Sequence, residues 1–204
     1  MQVPWSTVVI AKYLGQVLTP ETAKAMALEI ADGPNTPIDI DAFAAQNYRG
    51  YVIRLERFAQ ILPDLQVLHE RHYLETETYR AGIALNPDLY AMCRRERSGQ
   101  LLQATVRTSS GELIGNMRVY LGTSLHTQTL FCTEDTFYVV PEHRGGFLAV
   151  RLWQYVERAV IALGVREIFF DSKSVNHADA MARYLKYQAI GIKFAKVVPL
   201  LTKE

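Results

Sequence analysis

The stretch best equipped for chemistry runs from Phe137 to Ala162. Thr136 to Val140 are β-branched or aromatic and read as the end of a strand. Pro141 stops that strand, because proline fixes φ and offers no N–H to a ladder. Arg144, Gly145 and Gly146 then make a turn. From Phe147 a helical period takes over, with Leu148, Leu152, Tyr155, Val156, Ala159, Val160 and Leu163 on one stripe, and Gly164 ends it. A strand, a glycine turn and a helix N-terminus in that order form a seat for phosphate. The free N–H groups point outward with partial positive charge, and glycine lets an anion approach the backbone. The dinucleotide fingerprint G-x-G-x-x-G is absent, and so is the G-x-x-x-x-G-K-S/T loop of nucleotide hydrolases.

What stands at Val139 to Ala149 is V-x-P-E-x-R-G-G-x-x-A. It resembles the acyl-CoA-binding motif of the GNAT superfamily of N-acetyltransferases, Q/R-x-x-G-x-G/A after a strand. Arg144 matches the first position and Ala149 the last, while Phe147 stands where the family has its middle glycine. Gly145 and Gly146 offer close backbone approach just before it. The resemblance runs from about Glu70 onward and is nearest to phage- and prophage-borne members. It implies acetyl-CoA as acyl donor, held by Val139, Val140, Arg144, Gly145, Gly146, Phe147, Leu148 and Ala149, with Asn176 contributing from the next crossover. It also implies that two adjacent parallel strands, Thr129–Val140 and Arg166–Asp171, splay apart to admit the pantetheine arm.

Acyl transfer to an amine needs a base, since a protonated amine cannot attack a thioester. Glu134 and Asp135 sit on the strand before the turn, and plain alternation sends them to opposite faces, with Asp135 beside Phe137 and Val139. The resemblance puts the base six positions before the motif proline, which is Asp135; Glu134 is its neighbour. The leaving thiolate needs a proton, and the resemblance places a tyrosine in N-x-x-A-x-x-x-Y, matched by Asn176, Ala180 and Tyr184. The Gly-Phe that should follow is Gln188-Ala189 here. Tyr187, one turn on, occupies a packing position. The bland alternatives are a solvated carboxylate at Asp135 and a core tyrosine at Tyr184.

The histidines carry less. His69 and His72 flank Glu70-Arg71, one residue short of H-E-x-x-H, and with no further Cys/His cluster no metal site is expected. His126, His143 and His177 read as turn or loop residues, with His126 an alternative base. The 204 residues, 49% of them apolar, suffice for a full core, and the net charge of +1 argues against nucleic acid as a partner. Cys93 and Cys132 are far apart and read as reduced thiols. No apolar run reaches membrane-span length and no leader is evident, so a soluble, cytoplasmic protein is expected.

The elements that must position these groups follow from pattern. Ser6 to Leu14 reads as a short strand. Thr19 caps a helix from Pro20 to about Asp32. The polar connection to Asp39 makes the best boundary, giving an extension over 1–40 and an acyltransferase domain over 41–204. The extension's apolar residues need cover, from the core or from a second copy in a homodimer. Ala42 to Leu62 reads as helix interrupted near Gly50, continued from Pro63 through Tyr73. Asn86 and Pro87 start a helix closed by Gly99, whose arginines suit its negative end. Strands follow at Leu101–Arg107, Leu113–Leu121, with a bulge at Gly115, and Thr129–Val140. Strand Arg166–Asp171, a helix from His177 to Tyr187 and strand Ile190–Leu200 complete the chain. This order predicts an α/β fold of the α+β kind, with a mixed, mostly antiparallel sheet flanked by helices. The resemblance implies an acetyl-CoA-dependent N-acetyltransferase acting on a primary amine by direct attack. A catalytically weak CoA-binding or partner-binding protein of the same fold is the alternative.

Overall fold

The computed structural model describes residues 5–32, 36–80, 82–171, 178–191 and 195–197. Six strands form one sheet in chain order: β1 (Gln46–Tyr48), β2 (Tyr51–Leu55), β3 (Leu101–Thr108), β4 (Leu113–Thr123), β5 (Leu130–Val139) and β6 (Glu167–Phe169). Neighbours pair antiparallel from β1 to β5, whereas β5 and β6 run parallel. The helices are α1 (Trp5–Tyr13), α2 (Pro20–Asp32), α3 (Phe58–Thr76), α4 (Leu89–Arg97), α5 (Leu148–Ala162) and α6 (Ala178–Tyr184). The mixed, mostly antiparallel sheet with flanking helices is the one expected from the sequence.

Two helices sandwich the sheet. α3 buries Phe58, Ile61, Leu65, Leu68 and His69 on the face that carries Arg118, whose guanidinium lies 5.5 Å from the Phe58 ring centroid. α5 buries Leu148, Leu152, Trp153, Tyr155, Val156, Ala159 and Val160 on the other face, where Phe137 meets Trp153 edge-on at 5.4 Å. Each large apolar side chain among them, once buried, contributes roughly 1.5–3 kcal/mol in removal from water, so these two stripes hold the layers together. Pro63 lies inside α3 and leaves the Ala59 carbonyl without a helical donor, but Ala59 is exposed and water can serve.

Four sequence expectations are corrected. Residues 42–62 are not one interrupted helix: β1 and β2 form a hairpin whose turn, Arg49-Gly50, has φ of 48° and 82°. Two successive positive φ values are the geometry of a type I′ turn, and Tyr48, Tyr51, Val52 and Ile53 beside it suit strands. Ser6 to Tyr13, the bulk of the expected Ser6–Leu14 strand, is helical. The segment pairs with neither edge of the sheet, and as a helix it satisfies its own backbone. α1 packs against α2 through Lys12 and Tyr13, both of which bond Glu29. The α4 cap is Asp88, whose Oδ1 accepts from Ala91 N at 2.9 Å, not Asn86. By contrast Thr19 caps α2 as expected, accepting from Thr22 N at 3.2 Å while Thr22 Oγ1 accepts from Thr19 N at 2.7 Å. Of the last expected strand, residues 190–191 and 195–197 are not in strand, and the remainder lies outside the described residues.

Candidate active site

β5 and β6 pair over only three positions, from Phe131↔Glu167 to Thr133↔Phe169. Past Thr133, β5 runs on to Val139 with no β6 partner among the described residues, so the two strands part at the end nearest the glycine turn. That is the expected splay. Pro141–His143 form a single 3₁₀ turn, and Phe147 stands as N-cap of α5 with no side-chain cap bond. Among the described residues, no protein acceptor takes the N–H of Gly145, Gly146, Phe147, Leu148, Ala149 or Val150. Six adjacent donors at a helix N-terminus are a strong draw for a phosphate or diphosphate. Gly146 has φ +66°, and a side chain there would touch Arg49 Nη1 at 3.5 Å and the Tyr48 hydroxyl at 3.6 Å.

Arg144 does not spend its guanidinium on that seat. Its Nε donates to Val139 O at 2.6 Å, and Nη1 and Nη2 donate to the Glu75 carboxylate at 2.6 and 2.8 Å. It also lies 5.1 Å over the Tyr138 ring, whose hydroxyl donates to Glu75 at 3.2 Å. Arg71 adds a second link, bonding Glu142 at 2.8 and 2.9 Å. The last turns of α3 are thus tied twice to the turn that starts α5. The Arg144 bonds hold the Glu75 carboxyl below its usual range, and burial, helped by Glu75, pushes the Tyr138 hydroxyl up. Sequence reading missed Glu75. The signal was there as crossed charges: Arg71 and Glu75 one turn apart on a helix, opposite Glu142 and Arg144.

Asp135 does not share a face with Phe137. β5 pairs with β4 as Arg118↔Thr136 and then Val119↔Glu134, so Asp135 is an extra residue in a bulge. It therefore turns to the α3 side along with Thr136. Arg118 Nε donates to Asp135 Oδ2 at 2.7 Å, Arg118 Nη2 to Thr136 Oγ1 at 3.0 Å, and Thr136 Oγ1 to Asp135 Oδ2 at 3.2 Å. Asp135 Oδ1 is left without a partner among the described residues. Glu134 is half-buried beside it. Arg118 is buried, and its Nη1 lies 3.4 Å from His69 Nε2. Burial first, then the Arg118 charge, drop the His69 pKa to about 4, so the ring is neutral and Nε2 accepts.

The two tyrosines of the α6 region separate cleanly. Tyr187 is a packing residue: its hydroxyl accepts from Trp153 Nε1 at 2.9 Å and donates to Glu157 at 3.2 Å. Burial raises its pKa far above the usual range. Tyr184 is exposed and meets the Phe147 ring at 5.8 Å, so the residue that replaces the motif glycine touches the expected acid. Val139 and Val140 are buried at the strand end, Leu148 is buried, and Ala149 half-buried at the helix start. Asn176 and His177 lie outside the described residues. Cys132 is buried on β5, which together with the Glu157 charge pushes its thiol up to about 12. No His/Cys/Asp/Glu cluster able to hold a metal occurs among the described residues. Nor is any described helix long and apolar enough to cross a membrane.

Residues 63–188 match the model of the acetyltransferase (GNAT) family. A comparison with curated proteins returned no match. Among solved structures, the ribosomal-protein-alanine N-acetyltransferase of Brucella melitensis biovar Abortus 2308 is similar over 74% of this chain and 99% of its own, at 16% identity and TM-score 0.56. An aminoglycoside acetyltransferase from an uncultured soil metagenomic sample, in complex with sisomicin, covers 79% of this chain and 100% of its own, at 12% identity and TM-score 0.58. A predicted acetyltransferase from Clostridium acetobutylicum, solved with acetyl-CoA, covers 72% of this chain and 96% of its own, at 11% identity and TM-score 0.54. At these identities the likeness is one of fold.

Proposed function

We propose that this chain, which belongs to the GNAT acetyltransferase family, is an N-acetyltransferase that passes the acetyl group directly to a primary amine. Acetyl-CoA is the family's donor and supplies an activated acetyl thioester. The observation that carries the reading is the row of N–H groups from Gly145 to Val150, unpartnered among the described residues and set where β6 leaves β5. Those donors hold the diphosphate. Val139 and Val140 line the approach, Leu148 and Ala149 open the helix that points at it, and Asn176 is assigned to the same site by its motif position. Arg144 acts through Glu75 and Val139 O to fix the turn.

Asp135 is the base in this reading. Its Oδ2 is held by Arg118 and Thr136, and the open Oδ1 takes a proton from the incoming ammonium; Glu134, its chain neighbour, pairs with Val119 on the other face and is the alternative carboxylate. Asp135 lies four residues before Val139, about 13 Å along the strand. The nitrogen then forms its bond to the acetyl carbon as the C–S bond breaks, Tyr184 gives its hydroxyl proton to the departing thiolate, and the second proton lost by the acylated nitrogen returns to the tyrosinate, leaving neutral amide and free thiol. Direct transfer suits a chain whose β5 cysteine is kept protonated by burial. A second reading, a CoA-binding protein with little turnover, draws on Phe147, whose ring takes the place of a glycine and lies against Tyr184. We also assign 1–40 as an extension to a 41–204 acyltransferase domain, covering its apolar residues by contact with the core or with a second copy.

Titration calorimetry tests the cofactor half of the reading. CoA should bind one site per chain, and a chain lacking residues 1–37 should bind it as well. Absence of binding to the full chain would overturn the proposal.

A further inference from the structure

The hairpin turn between β1 and β2 brings a cation to the glycine turn from outside the family match, which begins at residue 63. Arg49 opens that turn at φ 48°, a left-handed conformation that asparagine or glycine adopts with less strain. Its guanidinium reaches across to Gly146, lying 3.5 Å from where a Cβ would stand, with the Tyr48 hydroxyl at 3.6 Å. Arg49 lies 5.5 Å from the Tyr48 ring centroid, and Arg151, from the first turn of α5, lies 5.8 Å from the same centroid. Tyr48 is therefore a platform shared by two guanidinium groups. Both arginines are exposed, and neither pairs with a carboxylate among the described residues. Among the described residues the Arg151 side chain makes one hydrogen bond, at 3.4 Å to the neutral Gln154 amide. The other buried or bridging arginines of the site, Arg71, Arg118 and Arg144, are all neutralised by acids. Like charges gathered on one ring without an acid between them repel, and an anion with several oxygens relieves that repulsion.

We propose that Arg49 and Arg151, set over Tyr48, bind the 3′-phosphate of CoA and so select CoA over its dephosphorylated form. This rests on the reading that the N–H groups of Gly145 to Val150 hold the diphosphate. A dianionic phosphate beside that seat meets two forked donors on one side and the helix N-terminus on the other. The β1–β2 hairpin thereby becomes part of the donor site, although it lies outside the part of the chain that carries the family motif.

The test titrates CoA and 3′-dephospho-CoA into the wild-type chain and into Arg49→Gln, Arg151→Gln and the double variant. Circular dichroism melts check that each folds. The wild type should favour CoA by about tenfold or more, the effect of one or two charge-assisted contacts. Each single variant should lose part of that preference and the double variant nearly all, with dephospho-CoA affinity unchanged within about twofold. The preference should also shrink with added salt in the wild type only. A double variant that keeps the wild-type preference, or that loses affinity for both ligands alike, would overturn the assignment. A wild type that binds neither ligand would instead overturn the cofactor reading on which it rests.

Discussion

At the scale of single residues, Asp135 shows how one extra residue redirects chemistry. Strict alternation puts it beside Phe137, facing α5. The bulge turns it toward α3, where Arg118 and Thr136 hold one oxygen and leave the other open. A bulge cannot be read from β5 alone, because it is a property of the pairing with β4. Tyr184 and Tyr187 were also ranked by motif position, and their environments separate them further: one exposed on Phe147, the other locked between Trp153 and Glu157. Three substitutions should give three signatures. Asp135→Asn should lower turnover about a hundredfold at low pH, less at high pH where free amine is already present. Tyr184→Phe should lower it by a similar factor at every pH. Tyr187→Phe should leave turnover near wild type but cost about 1–3 kcal/mol in denaturant unfolding, since it strands the buried Trp153 N–H. Pre-steady-state and pH–rate measurements at saturating acetyl-CoA check the first two. Near-wild-type turnover in Tyr184→Phe would move the proton donor elsewhere.

At the scale of elements, the sequence was legible where a pattern was long and self-contained. The β3–β5 meander and α5 stand where pattern put them, because each buries a continuous apolar face, whereas the expected buried strand Arg166–Asp171 is reduced to the part-buried Glu167–Phe169 of β6. The β1–β2 hairpin was not legible. Its strands are short, and Arg49 in a left-handed turn hides the Asn-Gly or Gly-Gly signal that marks such hairpins. α3 illustrates a different loss. His69 reads as an idle helical histidine, yet it is buried under Arg118 with its pKa lowered to about 4. A group whose folded pKa lies below its unfolded value of about 6.5 binds its proton more readily when unfolded. Its neutral form therefore supports folding fully above about pH 6.5, and stability falls as pH drops toward 4, by about 3 kcal/mol over that window. Urea unfolding of the wild type and of His69→Gln at pH 7, 5.5 and 4.5 should show a steeper decline for the wild type. Parallel declines would place the acid sensitivity in other groups.

At the scale of the whole molecule, two layers of helix fix the positions of three otherwise separate contributions. α5 presents its N-terminus at the opening between β5 and β6. α3 braces that N-terminus through Glu75–Arg144 and Arg71–Glu142, and carries the sheet face on which Asp135 sits. Such partly exposed pairs are worth at most about 1 kcal/mol each, so their effect is on the placement of the turn more than on stability. Along the two N-terminal helices and the link between them, Ile10, Leu14, Val17, Leu18 and Leu28 are exposed. The account as a whole rests on acetyl transfer to an amine from a donor seated at the glycine turn. Its most direct test follows release of the CoA thiol from acetyl-CoA by the wild type, Gly146→Ala and Gly146→Glu, across small amines, an aminoglycoside and protein amines. Gly146→Ala imposes only the strain of a side chain at φ +66°, whereas Gly146→Glu adds a carboxylate at the proposed diphosphate seat, on the side of Arg49 and Tyr48. Amine-dependent release in the wild type, weakened in Gly146→Ala and abolished in Gly146→Glu, is the predicted result. Release that proceeds equally in Gly146→Glu, or none from the wild type with any amine, would contradict the account.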